Sequence, residues 1–431
     1  MKNMKKRSLR RIFAGILGIG ILLTGAAPCA AAAYGYDEYG DPIVTATPVP
    51  DGQAAAVTPA HSNYYSQAAD TDSIDGWPKG PNVEAQAAVL MDVNTEAVLY
   101  SKNGDTQLYP ASITKIMTTL LACENLNVKT KITVSENAST SVSAGDSSIY
   151  AAPGEVFTRD QALMAVMLQS ANEMSVAVAE EVSGSVKKFT ELMNWRAKLF
   201  GCKNTHFNNP NGLPDETHYT TASDMAKIAK SAWLNPLFRR YCTRRYYEIP
   251  ATNKFAEARQ LLNHHKMMKN GEYYYEGVLG GKTGYTDASG NTLVTYCKRG
   301  NMTLVAVILN STSAANAYSD TASLFNYGFE NFEKMDMKVS MEPVPFKVLP
   351  CDKYILKNNG NTYPFYYQTN VYVTVPKGTK RSQLTKRQAV LQNAAGPLRL
   401  KSKYYYQKQM VGWGMQYERN VVSDLLLQTS S

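Results

Sequence analysis

Cysteine and histidine are scarce in this chain, and their scarcity limits the kinds of site it can hold. The 431 residues include six cysteines and five histidines. Without Cys29, which lies in the N-terminal segment described below, the remaining cysteines are odd in number and widely spaced, with no C-x-x-C pair. This pattern indicates neither a disulfide framework nor a zinc site. The pair His264-His265 has no carboxylate or thiol at ligand spacing, so we expect no metal and no cofactor.

Long apolar runs are also missing, apart from one near the N-terminus. Ile12 to Ala27 is apolar, but it is short and rich in glycine for a membrane span. Ala30-Ala31-Ala32 after it offers a cleavage site, and the basic residues before it are Lys2, Lys5, Lys6, Arg7, Arg10 and Arg11. We therefore predict that residues 1–33 are an export signal, with a retained membrane anchor as the alternative.

A strong net charge is absent once this signal is set aside. The whole chain carries +9, and the signal contributes six basic and no acidic residues, which leaves about +3 for the exported chain. So small a charge does not favour a nucleic-acid partner.

Composition and periodicity divide the rest of the chain into three parts. Residues 34–78 are rich in Ala, Thr, Pro, Gly and Asp, which predicts a disordered spacer. Residues 79–335 read as a hairpin, a series of helices and then further strands. This order predicts an α/β (α+β) domain in which helices flank an antiparallel sheet and form a subdomain on one side. Short alternating runs predict a small β-rich domain at residues 338–431.

Three short motifs in a fixed order carry the chemistry. Ser112 and Lys115 form an S-x-x-K step at the start of an apolar helical pattern, and residues three apart share a helix face. A lysine of lowered pKa can take the proton of such a serine and make it a nucleophile. Ser170-Ala171-Asn172 and Lys282-Thr283-Gly284 follow in that order. The same ordered set is typical of penicillin-binding serine acyltransferases.

Two further matches to single motifs, which we call the decoy motifs, test how specific these patterns are. Ser185 and Lys188 form a second S-x-x-K step, and Ser135 and Asn137 form a second S-x-N step. Neither fits the order of the set, and we interpret both as helix faces or turns.

From about Ala87 to Asn310 the chain resembles the D-alanyl-D-alanine carboxypeptidases, which are low-molecular-weight penicillin-binding proteins. The resemblance implies a β-lactamase/transpeptidase-like fold on the extracytoplasmic face of a bacterial membrane or in the cell wall. It also implies a peptidoglycan stem peptide ending in D-Ala-D-Ala as substrate and β-lactams as inhibitors. The matching segments are Ala88–Asp92, Val98–Tyr100, Pro110–Thr118, Asn204–Phe207, Asn211–Leu213 and Gly281–Thr286.

The resemblance assigns a role to each catalytic residue. Ser112 would attack the carbonyl between two D-alanines, with Lys115 as its base and Ser170 as the group that passes the proton to the departing amine. The backbone N–H groups of Ser112 and Tyr285 would form the oxyanion hole.

The remaining motif residues would bind the substrate. Asn172 would hold its amide, and Lys282 and Thr283 would bind its terminal carboxylate. Gly284 would leave room for substrate backbone beside its strand.

Three other functions share parts of this pattern. A class A β-lactamase needs an E-x-x-x-N step, and none lies between Asn172 and Lys282, which disfavours that function. A D,D-endopeptidase that cuts peptidoglycan cross-links would use the same residues, and the sequence does not separate the two. A catalytically silent wall-binding protein would predict a broken motif, whereas every named residue is intact. The last apolar stretch, Val421 to Leu427, is patterned as a strand and not as an interfacial helix, so we expect only peripheral contact with membrane or wall.

Overall fold

The computed structural model describes residues 61–339, 370–391 and 399–418 and three short strands outside these ranges. The chain divides into two units, residues 1–48 and 49–431. In the first unit, β1 (Gly35–Tyr36) pairs antiparallel with β2 (Pro42–Ile43). The predicted signal and the stretch from Val421 to Leu427 lie outside the described residues. None of the described helices is both long enough and apolar enough to cross a membrane.

In the second unit, a hairpin, a helical region and further strands follow one another as the sequence predicts. Its strands up to residue 336 are β3 (Ala87–Asp92), β4 (Val98–Lys102), β5 (Lys131–Thr133), β6 (Val156–Thr158), β7 (Tyr246–Ile249), β8 (Arg259–Leu262), β9 (Val278–Thr286), β10 (Gly290–Arg299), β11 (Met302–Ser311) and β12 (Phe332–Asp336). Its helices are α1 (Lys115–Asn125), α2 (Glu136–Thr140), α3 (Arg159–Leu168), α4 (Asn172–Ser183), α5 (Val186–Leu199), α6 (Ala222–Leu234), α7 (Pro236–Cys242) and α8 (Ala314–Asn331). The predicted α/β fold class is confirmed.

Five antiparallel strands form the central sheet, in the order β4-β3-β11-β10-β9. Side chains alternate between the two faces of a strand, and in β11 both sets are buried. Val305 and Val307 belong to the core that contains α1, α3, α4 and α6, whereas Leu304 and Ala306 belong to the core that contains α8. Helices therefore cover both faces, and β9 is left at one edge of the sheet.

Helices α1 to α7 form a subdomain between β4 and β9, and local signals fix its element boundaries. Thr158 caps α3, because its hydroxyl accepts from the N–H of Gln161 while the Gln161 side chain accepts from the N–H of Thr158. Helix α3 ends at Leu168 and α4 begins at Asn172. The second motif therefore lies in the turn between two buried helices, as its sequence predicts.

A six-stranded sheet follows α8. Its further strands are β13 (Phe365–Tyr367), β14 (Tyr372–Pro376), β15 (Leu384–Leu391), β16 (Arg399–Tyr406) and β17 (Gln409–Glu418). The order is β12-β14-β17-β16-β15, and β13 pairs with β17. The Thr374 hydroxyl donates to Asp92 Oδ2 at 2.9 Å and lies 2.8 Å from the Thr95 hydroxyl. Buried hydrogen bonds thus join this sheet to the first hairpin.

The prediction that the spacer is disordered as far as Pro78 is wrong. Residues 61–78 pack against the central sheet, and buried hydrogen bonds in both directions join the two. The Trp77 indole N–H donates to Leu99 O at 2.8 Å. The buried Lys102 ammonium donates to Tyr64 O at 2.6 Å and Val83 O at 2.8 Å. The composition of residues 61–78 gives no sign of these contacts, which join the segment to residues distant in sequence.

Candidate active site

Ser112 lies in a short 3₁₀ turn, Ala111–Thr114, that leads directly into α1. Ala111 has φ of +50°, a conformation that is uncommon for residues with a side chain and that occurs at functional sites. The buried Thr292 hydroxyl of β10 donates to Pro110 O at 2.9 Å. The turn is therefore attached to the central sheet. The predicted helical step is in fact a 3₁₀ step, in which residues three apart are eclipsed.

Lys115 is fully buried, and its Nζ has three oxygen neighbours. It lies 2.9 Å from Ser112 Oγ, 2.7 Å from Asn172 Oδ1 and 2.6 Å from Asn211 O. Burial first, and then the positive charge of Lys282, hold the pKa of Lys115 well below its usual range. A neutral amine has two N–H groups for the two Asn oxygens and a lone pair for the Ser112 hydroxyl. This set of neighbours matches a general base for Ser112.

Ser170 occupies a strained position in the turn before α4. Its φ is +58°, and its buried hydroxyl has no hydrogen-bond partner among the described residues. Buried hydroxyl groups are normally hydrogen-bonded. Because Ser112 and Ser170 both line the same cleft, Ser170 has a hydroxyl available for a molecule bound there.

Strand β9 brings the third motif to the nucleophile. Lys282 is buried, and its Nζ donates to Thr283 O at 2.8 Å. Burial lowers the pKa of Lys282 to about 7. A Cβ at Gly284 would collide with Thr292 Oγ1 and crowd the backbone N of Ser112. The glycine therefore lets the nucleophile turn approach the strand, a reason that the sequence did not reveal.

A cleft of about 280 Å³ joins these elements. Ser112, Ser170, Asn172, Thr283 and Tyr285 all line it, whereas Lys115 and Lys282 are buried. No described strand pairs with the outer edge of β9. An extended peptide could therefore lie along that edge and pair with it as an added strand.

The comparisons with known proteins agree with this geometry. A sequence profile described as D-alanyl-D-alanine carboxypeptidase matches residues 76–313, which is more than half of the chain. The chain belongs to the D-alanyl-D-alanine carboxypeptidase family.

Relatives and solved structures support this membership. The D-alanyl-D-alanine carboxypeptidase DacF of Bacillus subtilis is 38% identical over 58% of this chain and 63% of its own length, which is less than two thirds of that relative. DacA of Escherichia coli is 29% identical over 75% of this chain and 79% of its own length. The structure of penicillin binding protein 5 from Haemophilus influenzae has a TM-score of 0.64 and is 25% identical, and the match covers 80% of this chain and 99% of that one. The Streptomyces K15 DD-transpeptidase has a TM-score of 0.55 at 30% identity, with 59% and 100% covered.

The two decoy motifs have structural roles away from the cleft. Ser185 caps α5, because its hydroxyl accepts from the N–H of Lys188 at 3.2 Å. Ser135 caps α2 in the same way and accepts from the N–H of Ala138 at 2.9 Å. The interpretation of both as local helix or turn features is confirmed.

The resemblance includes Asn211–Leu213 but assigns this loop no role, and the structure shows that the loop supports Lys115. Asn211 supplies its carbonyl oxygen to Lys115, and Thr118 donates to Pro210 O at 2.6 Å. Gly212 has φ of +88°, and a Cβ there would collide with the carbonyl of Ala111. A backbone acceptor leaves no trace in residue type. The N-P-N-G run was the one available signal of a tight turn.

Sequence reasoning also missed Glu173, which holds a loop over the cleft. The buried Glu173 accepts from the Ser148 hydroxyl at 2.8 Å and the Ile149 N–H at 2.7 Å. The Asn172 N–H donates to Ser147 O at 2.9 Å. This loop places Asp146 and Ser147 in the cleft wall.

His218 connects the Lys115 loop to the nucleophile turn. The ring of His218 is buried. Its Nε2 lies 2.9 Å from Thr114 Oγ1, and its Nδ1 accepts a hydrogen bond from the Asn208 N–H at 3.0 Å. An accepting Nδ1 places the proton of the neutral ring on Nε2. Burial lowers the pKa of His218 to about 4.

We expect His218 to make the protein sensitive to acid. An unfolded histidine titrates near 6.5, so neutral His218 contributes stability above that pH. This contribution is lost as the pH falls through the folded pKa of about 4. The variant His218→Leu should lose roughly 3 kcal/mol of the pH-dependent change in unfolding free energy. Denaturant unfolding of the wild type and of His218→Leu between about pH 7 and pH 4 measures it. Parallel curves for wild type and His218→Leu would contradict this assignment.

Proposed function

We propose that this protein is a serine-type carboxypeptidase that removes the terminal D-alanine from peptidoglycan pentapeptide stems. The proposal rests above all on Lys115, a fully buried amine 2.9 Å from Ser112 Oγ. It gains support from the family membership and from the open edge of β9 beside Ser112.

In the acylation step, Ser112 Oγ attacks the carbonyl between the two D-alanines while neutral Lys115 accepts the hydroxyl proton. The N–H groups of Ser112 and Tyr285 stabilise the oxyanion. Ser170 relays the proton taken up by Lys115 to the departing D-alanine amine as the carbon–nitrogen bond breaks, which leaves Lys115 neutral again and Ser170 with its hydroxyl proton. Water then hydrolyses the acyl-enzyme and regenerates the Ser112 hydroxyl. A β-lactam would acylate the same oxygen, which makes such compounds inhibitors.

The remaining motif residues hold the substrate in this proposal. The peptide lies antiparallel to β9, with its amide against Asn172 and its terminal carboxylate against Lys282 and Thr283. Gly284 allows the strand and the nucleophile turn to meet at the scissile bond.

The domain boundaries and the location belong to the proposal as well. Residues 1–33 serve as an export signal, so the enzyme works outside the cytoplasm, at the membrane face or in the wall. The catalytic domain is assigned to residues 79–335, with residues 61–78 packed against it. The β-rich domain is assigned to residues 338–431, and β12 adds a strand to its sheet.

Product analysis on a pentapeptide muropeptide tests the function. We expect release of free D-alanine and accumulation of the tetrapeptide. Cleavage of cross-linked dimers without loss of terminal D-alanine from monomers would indicate the endopeptidase, and transfer to an added amine in place of water would indicate a transpeptidase.

Lys282 should matter chiefly for binding the free carboxylate. Because its charge also helps to lower the pKa of Lys115, its loss should in addition move the pH dependence of acylation to higher pH for acid and ester alike. We expect Lys282→Ala to raise the KM for the free-acid peptide at least about tenfold, since a charge-assisted hydrogen bond is lost. The KM for the same peptide as a terminal methyl ester should change little. Because a pKa of about 7 leaves Lys282 increasingly neutral at higher pH, the KM of the wild type for the free acid should also rise above pH 7. Equal effects on the KM for acid and ester would contradict the assigned role.

A further inference from the structure

Positive charge is concentrated in strands β14 to β17 of the C-terminal sheet and the turns beside them, whereas β12 of the same sheet contains Glu333, Lys334 and Asp336. The described residues 370–391 and 399–418 contain nine lysines and arginines and one acidic residue, Glu418. The whole chain has 45 basic and 36 acidic residues, so the remainder of the protein is close to neutral. The small net charge of the exported chain therefore hides a strongly basic region.

Four of these cations lie on one face of the sheet. Arg399, Lys401 and Lys403 alternate along β16, and Arg387 of β15 is the direct partner of Lys403. Alternate residues of a strand are about 6.6 Å apart, and directly paired residues are about 5 Å apart. Arg387 and Lys403 are exposed and the other two are half-buried, whereas the residues that alternate with them along β16 (Leu400, Ser402 and Tyr404) are buried. We call Arg387, Arg399, Lys401 and Lys403 the basic face.

The described residues do not neutralise the basic face. Glu96, which lies near Lys401, already forms an ion pair of 2.5 Å with Lys230. The pKa of Lys401 is lowered, first by burial; the Glu96 carboxylate opposes this shift, and the positive charges of Lys403 and Lys230 add to it. Like charges paired directly across strands destabilise a sheet. A row of cations with this repulsion is typical of a surface that meets an anionic partner.

Aromatic rings hold two of the cations in place. The Arg387 guanidinium lies 4.9 Å from the Tyr405 ring centroid, and Lys401 Nζ lies 4.3 Å from that of Trp413. Such stacking orders long side chains before a ligand arrives. It also means that both rings are engaged by cations within the sheet.

We propose that the basic face binds a linear envelope polymer whose repeating unit carries a phosphodiester. Three cations in a straight row at regular spacing suit a chain of regularly spaced anions. A membrane surface would favour exposed apolar side chains that could enter the interface. Of the exposed large hydrophobic residues in the described part of this sheet, Tyr372 lies on β14 and Leu391 is the direct partner of Arg399. A single exposed aliphatic side chain therefore accompanies the four cations of the basic face.

The test is the binding of fluorescently labelled poly(glycerol phosphate) to the full chain, measured by anisotropy at several salt concentrations. The double variant Arg387→Gln/Lys403→Gln should bind at least about tenfold more weakly at low salt and show a shallower salt dependence. The matched control, Lys187→Gln/Lys188→Gln, removes the same charge from exposed positions on α5 and should bind as the wild type does. Penicillin labelling and the unfolding midpoint should be preserved in both, because neither pair lies in the cleft and the first pair repels.

Two results would overturn the proposal. If the two double variants bind poly(glycerol phosphate) equally well, the polymer binds to basic residues in general and not to the basic face. Tighter binding to phosphatidylglycerol vesicles than to the polymer, lost in Arg387→Gln/Lys403→Gln, would assign the face to a membrane.

Discussion

Replacing Ser112 with alanine should abolish covalent labelling by a fluorescent penicillin while the protein remains folded. The substitution removes only the oxygen that would be acylated and one hydrogen bond to Lys115. We expect the unfolding free energy to change by about 1 kcal/mol or less. A labelling gel together with thermal unfolding of the same sample measures both effects.

Ser185→Ala is the matched control, because Ser185 begins the decoy S-x-x-K step. Its hydroxyl caps α5, so its loss should cost about 1 kcal/mol of stability and leave labelling intact. Labelling that persists in Ser112→Ala, or disappears in Ser185→Ala at a temperature where the protein is folded, would overturn the assignment of the nucleophile.

Replacing Lys115 with alanine should slow acylation by roughly 10²- to 10⁴-fold, the usual contribution of a positioned general base. The variant also leaves Asn172 Oδ1 and Asn211 O without their donor, so a stability loss of about 1–3 kcal/mol should accompany it. Stopped-flow acylation by a chromogenic β-lactam, below the unfolding transition, measures the chemical effect separately from the folding effect.

Lys115→Arg separates the role of a base from that of a fixed positive charge. Arginine keeps the charge and stays protonated, so we expect acylation as slow as in Lys115→Ala. In the wild type, acylation should rise with pH through the lowered pKa of Lys115, because the neutral amine is the active form. Recovery of acylation by arginine would show that Lys115 acts as a cation.

Much of the site could be predicted from sequence because its parts are local. Ser112 and Lys115 are one turn apart. The capping box at Thr158 marks the start of α3, and the end of the apolar run that follows places Ser170 and Asn172 in the turn after that helix. Strand patterns placed Lys282 and Thr283 on β9. Each of these inferences needs only neighbouring residues and a known periodicity.

The parts that could not be predicted depend on contacts between distant segments. Asn211 acts through its backbone carbonyl, and Gly284 is required by the approach of Ser112 from another element. Residues 34–78 resemble a spacer because they are rich in Ala, Thr, Pro, Gly and Asp. The structure nevertheless shows the buried Lys102 donating a hydrogen bond to the carbonyl of Tyr64 within this segment. The basic face arises only when β15 and β16 pair.

Under the proposed function, the open edge of β9 has a consequence for the range of cell walls that the enzyme could process. An added strand is held mainly through its peptide groups, which are the same whatever side chains it carries. The protein would then distinguish substrates mainly by the terminal carboxylate, through Lys282 and Thr283. The diamino acid further back in the stem peptide would have little effect on binding. An enzyme built in this way can tolerate changes in cross-bridge chemistry without changes in its own active site.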